Sequence, residues 1–160
     1  MDFSTILQPE NIQLYWDGLV NSLLLLATSL LVGGLMALPL AVARVSENKF
    51  IQGPVWLFTY VMRGTPLLIQ VYLIYYGLGQ MEYIQARWDD SWFWKWFKEP
   101  MFCAILAFAL NTCAYTVELL AGAIRDTGHG EVEAARAMGM SRWTTMRRIL
   151  LPSAMRRSLP

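Results

Sequence analysis

Three long apolar blocks, separated by short polar segments, dominate the pattern along the chain. Residues 18–43 contain no charged side chain, residues 54–81 contain only Arg63, and residues 101–124 contain only Glu118. A membrane-spanning helix needs about 20 predominantly apolar residues, and each block reaches that length. The pattern therefore predicts an all-α membrane protein with three transmembrane helices at about these positions.

Composition supports this prediction. The chain has 160 residues, of which 56% are hydrophobic, so it is too short to bury three such helices inside a soluble fold. Before the first block stand Asp2, Glu10 and Asp17 but no Lys or Arg, whereas a signal peptide begins with a basic segment. We therefore expect the first block to be a retained transmembrane helix.

The distribution of basic residues predicts the orientation. The first 17 residues contain no Lys or Arg, and the loop after the first block contains Arg44 and Lys49. The tail contains seven arginines: Arg125, Arg136, Arg142, Arg147, Arg148, Arg156 and Arg157. Because basic residues in short loops remain in the cytoplasm, we expect the N-terminus outside and residues 125–160 inside.

The first block carries small residues at four-residue spacing, Ser29, Gly33, Ala37 and Ala41. This spacing places them on one face of a helix, and small faces allow close packing between membrane helices. We predict a packing surface here.

The second block contains Arg63, Gly64, Thr65 and Pro66 in succession. Proline removes a backbone donor and clashes with the preceding turn, so we predict a helix break near Gly64 and Pro66. Arg63 has two interpretations. It lines or latches a polar pathway, or its side chain extends to the cytoplasmic interface.

The third block carries Asn111, Tyr115 and Glu118, whose spacing aligns them on one helical face. Polar groups in a span usually face a cavity or the interior of a bundle, so all three are candidate residues of a solute pathway. An acid there can receive the ammonium group of a solute. Alternatively, Glu118 is solvated at the cytoplasmic end or pairs with Arg125.

Between the second and third blocks, Trp92, Phe93, Trp96 and Phe97 follow a helical stripe. Aromatic residues are enriched at membrane interfaces. The segment is either a short interfacial helix or a contact surface for an external partner.

The tail is predicted to form a helix–turn–helix along the inner face of the membrane. Residues 131–138 are good helix formers, and Gly139 suits a C-terminal cap. Ser141 can cap a second helix, and Pro152 suggests a stop or bend.

The sequence contains none of the enzyme motifs that we considered. No Lys follows a Gly, which excludes a phosphate-binding P-loop, and there is no GxSxG motif. The single histidine, His129, and the two cysteines, Cys103 and Cys113, provide no zinc-binding pattern. We predict no catalytic residue and no metal site, and we interpret both cysteines as apolar packing residues.

Three motifs identify a family resemblance. The spacing of one group of tail residues resembles the EAA loop of the membrane subunits of bacterial ABC importers: Glu133, Ala134, Ala135, Gly139, Ile149, Leu151 and Pro152. Residues 63–66 resemble the RGTP motif of polar amino acid permeases, and residues 111–118 resemble their third-helix motif. The chain is most similar to permeases for histidine, lysine, arginine and ornithine.

The resemblance implies a fold, a location and a set of partners. The fold would be the N-terminal part of a five-helix ABC permease in the bacterial inner membrane. Its EAA segment would be a coupling helix that docks on ABC ATPase subunits, which bind the ATP, so the permease needs no cofactor. Further partners would be a second permease subunit, the same or a sibling, a periplasmic or extracellular amino acid binding protein, and membrane lipid. We expect no nucleic acid partner.

Departures from the family pattern leave alternatives open. Ala121 and Gly128 stand where many relatives carry Arg and Pro. Family members usually continue with two more transmembrane helices, so we expect residues 1–160 to be a single incomplete permease domain, truncated at its C-terminus and unable to transport alone. The alternatives are import of another polar amino acid, such as glutamine or glutamate, and a scaffold that docks an ATPase without transporting.

Overall fold

The computed structural model of the chain describes residues 9–78, 80–87, 91–126 and 129–158, and all regular elements in these ranges are helical. In chain order they are α1 (Pro9–Arg44), α2 (Lys49–Gly64), α3 (Leu67–Tyr72) with a π-helical continuation (Leu73–Leu78), α4 (Glu82–Gln85), a 3₁₀ helix (Trp94–Lys98), α5 (Pro100–Arg125), α6 (His129–Ala137), α7 (Arg142–Thr145) with a π-helical continuation (Met146–Leu150), and α8 (Leu151–Ser158). The predicted all-α class is confirmed.

Two helices in the described ranges, α1 and α5, are long and apolar enough to cross a membrane as single elements. The second predicted helix begins earlier than expected, at Lys49, and is broken. Its two halves, Lys49–Gly64 and Leu67–Leu78, meet at 108° and make a third span only if they are counted together. Thr65 and Pro66 are extended at the break, because a proline disfavours the helical conformation of the residue before it.

The small face of α1 packs against α5, as predicted. Ser29 is 1% exposed, and Ala37 and Ala41 are fully buried. At Gly33 a Cβ atom would lie 2.6 Å from the carbonyl oxygen of Ala109, so the two helix backbones approach each other as closely as glycine permits.

Apolar side chains form one cluster at each end of the bundle. Cys113 joins a cluster with Ala37 and Val55, while Cys103 joins another with Ile74 and Phe97. Both cysteines are fully buried, which confirms their packing role.

The 3₁₀ helix directs the aromatic side chains of the predicted stripe to different environments. Phe97 is buried at 4% exposure, whereas Trp92, Phe93 and Trp96 are 81%, 51% and 46% exposed. The predicted single helical stripe is wrong, because the tighter 3₁₀ turn directs Phe97 inward. Whether the exposed rings meet lipid or a partner stays a prediction.

The tail contains the predicted helix–turn–helix. Gly139 adopts φ +74, and the bonds from its N–H to Arg136 O and from Met140 N–H to Ala135 O close the end of α6. Ser141 caps α7 by accepting a hydrogen bond from the N–H of Thr144 at 3.2 Å.

The stop predicted at Pro152 is wrong. The chain passes from the π-helical turn into α8, and Pro152 occupies the second position of that helix. Proline is tolerated in the first turn of a helix, and the wider π turn before it relaxes the need for its missing N–H.

Candidate solute pathway and coupling segment

The break between α2 and α3 lies beside Asn111, near the middle of the 26-residue helix α5. The side-chain nitrogen of Asn111 is 3.4 Å from the carbonyl oxygen of Met62 and 3.2 Å from Oε1 of Gln70. Asn111 therefore joins both halves of the broken span to α5, which places polar groups at the depth where the lipid is most apolar.

Gln70, on α3, donates hydrogen bonds to two backbone carbonyl groups at the break. Its side chain is 5% exposed, and Nε2 lies 2.7 Å from Met62 O, 3.1 Å from Thr65 O and 2.8 Å from Thr65 Oγ1. Carbonyl groups freed inside a membrane must find partners within the protein. Gln70 was not among the predicted site residues, although an amide four residues after Pro66 in an apolar block was a usable signal.

Arg63 and Tyr115 come together on the exposed side of the break. The Arg63 guanidinium lies 5.5 Å from the centroid of the Tyr115 ring, which is within cation–π range. Tyr115 is 52% exposed, and Arg63 is exposed as well. With Asn111 one turn away on α5, three of the four predicted pathway residues therefore border one surface.

Glu118, the fourth predicted pathway residue, forms an ion pair and a hydrogen bond within the chain. Its Oε1 lies 2.6 Å from Nε of Arg44 and 2.7 Å from Oγ1 of Thr59, so the carboxylate ties α5 to both α1 and α2. The side chains of Arg44 and Glu118 are 11% and 18% exposed. Both partners bind Oε1 of the carboxylate, and the predicted contact of Glu118 with a solute ammonium stays a prediction.

The predicted pairing of Glu118 with Arg125 is wrong. Arg125 instead donates to the backbone carbonyl of Arg44 at 3.4 Å. Thr59 and the role of Arg44 were not predicted from the sequence, because a contact across 74 residues depends on how α1 packs against α5.

The coupling segment presents some of its predicted contact residues and buries one. Glu133 and Ala134 are exposed on α6, and Gly139 is exposed at the turn. Ala135 is fully buried within the chain, and its predicted contact with an ATPase stays a prediction. Of the remaining motif residues, Pro152 is exposed, while Ile149 and Leu151 are partly buried.

The described part of the chain contains no group of three or more His, Cys, Asp or Glu side chains that could hold a metal ion. The side chain of His129 lies outside the described positions.

Comparisons with known proteins agree with these motifs. Residues 22–160 match the family described as binding-protein-dependent transport system inner membrane component. The chain is 47% identical to the histidine/lysine/arginine/ornithine transport system permease protein HisM of Salmonella typhimurium, covering 94% of this chain and 68% of that protein. It is 48% identical to HisM of Escherichia coli K12, covering 91% and 60%.

A nopaline transport system permease of Agrobacterium fabrum is 44% identical over 88% of this chain and 57% of its own length. Among solved structures, a crystal structure of an amino acid ABC transporter with histidines aligns with a TM-score of 0.78 and 32% identity. That alignment covers 100% of this chain and 68% of the solved chain. The chain thus spans between 57% and 68% of the length of these proteins.

Proposed function

Because the chain belongs to the family of inner membrane components of binding-protein-dependent transport systems, we propose that it is a permease subunit of an ATP-driven importer of basic amino acids. Its apolar helices and its relatives make it a multi-pass inner membrane protein. The choice of cargo is supported by the relatives named for histidine, lysine, arginine and ornithine.

The structural observation that carries the proposal is the broken second span. Secondary transporters bind solutes near the membrane midplane at discontinuous helices, where irregular backbone is held by protein groups. Here Gln70 and Asn111 hold the break. Next to it, the Arg63 guanidinium can bind the carboxylate of an amino acid, and its cation–π contact with Tyr115 holds it at the break.

Glu118 contributes to this pathway indirectly in our proposal. Its bonds to Arg44 and Thr59 fix the turn of α5 that follows Tyr115. The carboxylate therefore positions the pathway face, while Arg63, Asn111 and Tyr115 meet the solute.

The energy of ATP hydrolysis would be transmitted from the ATPase subunits to the permease through the coupling segment. The proposed importer contains an external binding protein, a second permease subunit and two ATPase subunits that bind the ATP. The Lys and Arg distribution supports an external N-terminus and a cytoplasmic tail. Glu133 and Ala134 would contact the ATPase, and Gly139 would hold α6 at a fixed angle to α7.

The cargo is tested by uptake into proteoliposomes that contain the complete subunit, its partners and ATP. We expect arginine uptake to exceed glutamine uptake, and Tyr115→Ala to lower kcat/KM for arginine about two- to fivefold, since an exposed cation–π contact is worth about 0.5–1 kcal/mol. Tyr115→Phe, which keeps the ring, should retain most of the activity.

Tyr83 offers a matched control, because its exposed ring also packs beneath an arginine, Arg87, at 3.7 Å but away from the break. Tyr83→Ala should leave uptake unchanged. Preferred uptake of glutamine or glutamate would contradict the proposed cargo. ATPase stimulation without uptake of any amino acid would favour the docking scaffold.

Coupling is tested at Gly139. A β-branched residue is strained at φ +74, so Gly139→Val should distort the turn and lower ATP-driven transport about tenfold or more, for a strain of about 1–2 kcal/mol. Gly139→Asn should be tolerated, because Asn adopts this conformation more readily. Gly130→Val, with no neighbour within 4 Å, controls for the added bulk. Normal transport and ATPase co-purification by Gly139→Val would refute the coupling role.

A further inference from the structure

A cleft of about 610 Å³ lies between the loop after α1 and the first part of the tail. Its walls are mainly apolar and come from four parts of the chain: the end of α1, the loop after it, α6, and the turn with the helix that follows α6. The apolar lining includes Val42, Val45, Val132, Met140, Met146 and Leu150. The transport proposal uses α6 and the turn at Gly139, but it assigns no role to these apolar lining side chains.

The position of the cleft places it at the edge of the membrane. Val42 lies in the last turn of α1, and Asn48, which caps α2, also lines the cleft. The cleft therefore opens where two apolar segments end, which is the depth of the lipid headgroups. Trp143, another lining residue, is 66% exposed, and tryptophan is enriched at this interface.

Two arginines, Arg136 and Arg142, also line the cleft. Arg142 contacts Glu47 at 2.7 Å, but both side chains are about four-fifths exposed, at 81% and 80%, so this ion pair holds the guanidinium only weakly. Arg136 forms no ion pair with another residue in the described ranges. Glu47 also lines the cleft, so the lining carries two arginines against one acid.

We propose that this cleft binds an anionic phospholipid, with its phosphate between Arg136 and Arg142 and an acyl chain along the apolar wall. Basic pockets beside membrane helices recognise acidic headgroups, and the apolar lining suits an acyl chain better than a water-soluble anion. The proposal depends on the membrane location of the chain and is independent of its cargo.

The test is a titration of the chain, purified in a neutral detergent, with phosphatidylglycerol or phosphatidylcholine of identical acyl chains, followed by native mass spectrometry. Arg136→Gln combined with Arg142→Gln should weaken phosphatidylglycerol binding at least about tenfold, since each basic residue near an anionic lipid contributes about 1 kcal/mol. Phosphatidylcholine binding should not change.

The matched control is Arg147→Gln combined with Arg148→Gln, which removes the same charge from exposed positions outside the cleft lining. This control variant should bind phosphatidylglycerol almost as well as the unmodified chain. A separate variant, Val132→Trp, fills the cleft while keeping its charge, and should weaken phosphatidylglycerol binding as well.

Three outcomes would overturn the proposal. Equal losses of phosphatidylglycerol binding in the two double-arginine variants would mean that the lipid is attracted by general electrostatics and not bound at a site. Equal binding of both lipids by the unmodified chain would exclude recognition of the acidic headgroup. Loss of ATPase co-purification in Val132→Trp with unchanged phosphatidylglycerol binding would assign the cleft to a protein partner.

Discussion

Replacing Glu118 with Gln is expected to destabilise the helix bundle by about 3–5 kcal/mol, the usual cost of removing one partner of a buried ion pair. Gln can still accept a hydrogen bond from Thr59, but it leaves the Arg44 guanidinium without a counter-charge in a largely buried setting. Arg44→Gln should cost a similar amount, because it leaves the carboxylate unpaired. The measurement is the free energy of unfolding in detergent.

The double variant Arg44→Met with Glu118→Leu separates the ion pair from simple loss of packing. It removes both charges and keeps apolar volume, so it should recover most of the lost stability. Thr59 retains a partner in this variant, because its hydroxyl also lies 3.0 Å from the carbonyl of Trp56. If the double variant is as unstable as the sum of the single ones, the two side chains do not act as a pair.

Replacing Gly33 with Ala is expected to destabilise the chain by about 1–3 kcal/mol, the typical cost of overpacking. The added Cβ would lie 2.6 Å from Ala109 O, 3.0 Å from Thr112 Cβ and 3.2 Å from Cys113 N. Two of these atoms belong to the backbone of α5, so no side-chain rotation relieves the contact. The helices must separate, which weakens the packing of Ser29 and Ala37 on either side.

The neighbouring Gly34 provides the control. A Cβ there has no neighbour within 4 Å, so Gly34→Ala should be neutral or should stabilise α1 by up to about 1 kcal/mol through helix propensity. The measurement is the midpoint of thermal unfolding of each variant in the same detergent. Shifts of equal sign and size would show that helix propensity, and not the approach of α1 to α5, governs both positions.

Local chemistry explains what the sequence predicted correctly. The length of uncharged sequence predicted α1 and α5, and the four-residue spacing of small side chains predicted their contact face. Pro66 located the helix break, since its effect acts on adjacent residues. Gly139 and Ser141 likewise determine their turn and cap through their own backbone and side-chain bonds.

Long-range geometry explains what the sequence could not predict. The 108° angle at the break depends on how Gln70 and Asn111 fit the freed carbonyl groups. Glu118 lay on the predicted face, but its partner Arg44, at the end of α1, is brought to it by the packing of α1 against α5. Ala135 belongs to a motif that predicted an external contact, yet the folding of the tail against its own chain buries it.

The burial of both cysteines has a practical consequence for mapping the chain across the membrane. Cys103 and Cys113 are both 0% exposed, and the sequence contains no other cysteine. Water-soluble maleimides should therefore leave the native chain unlabelled without any prior removal of its thiols. A single cysteine placed at Glu133, which is exposed on α6, would then report by itself which side of the bilayer the coupling segment occupies.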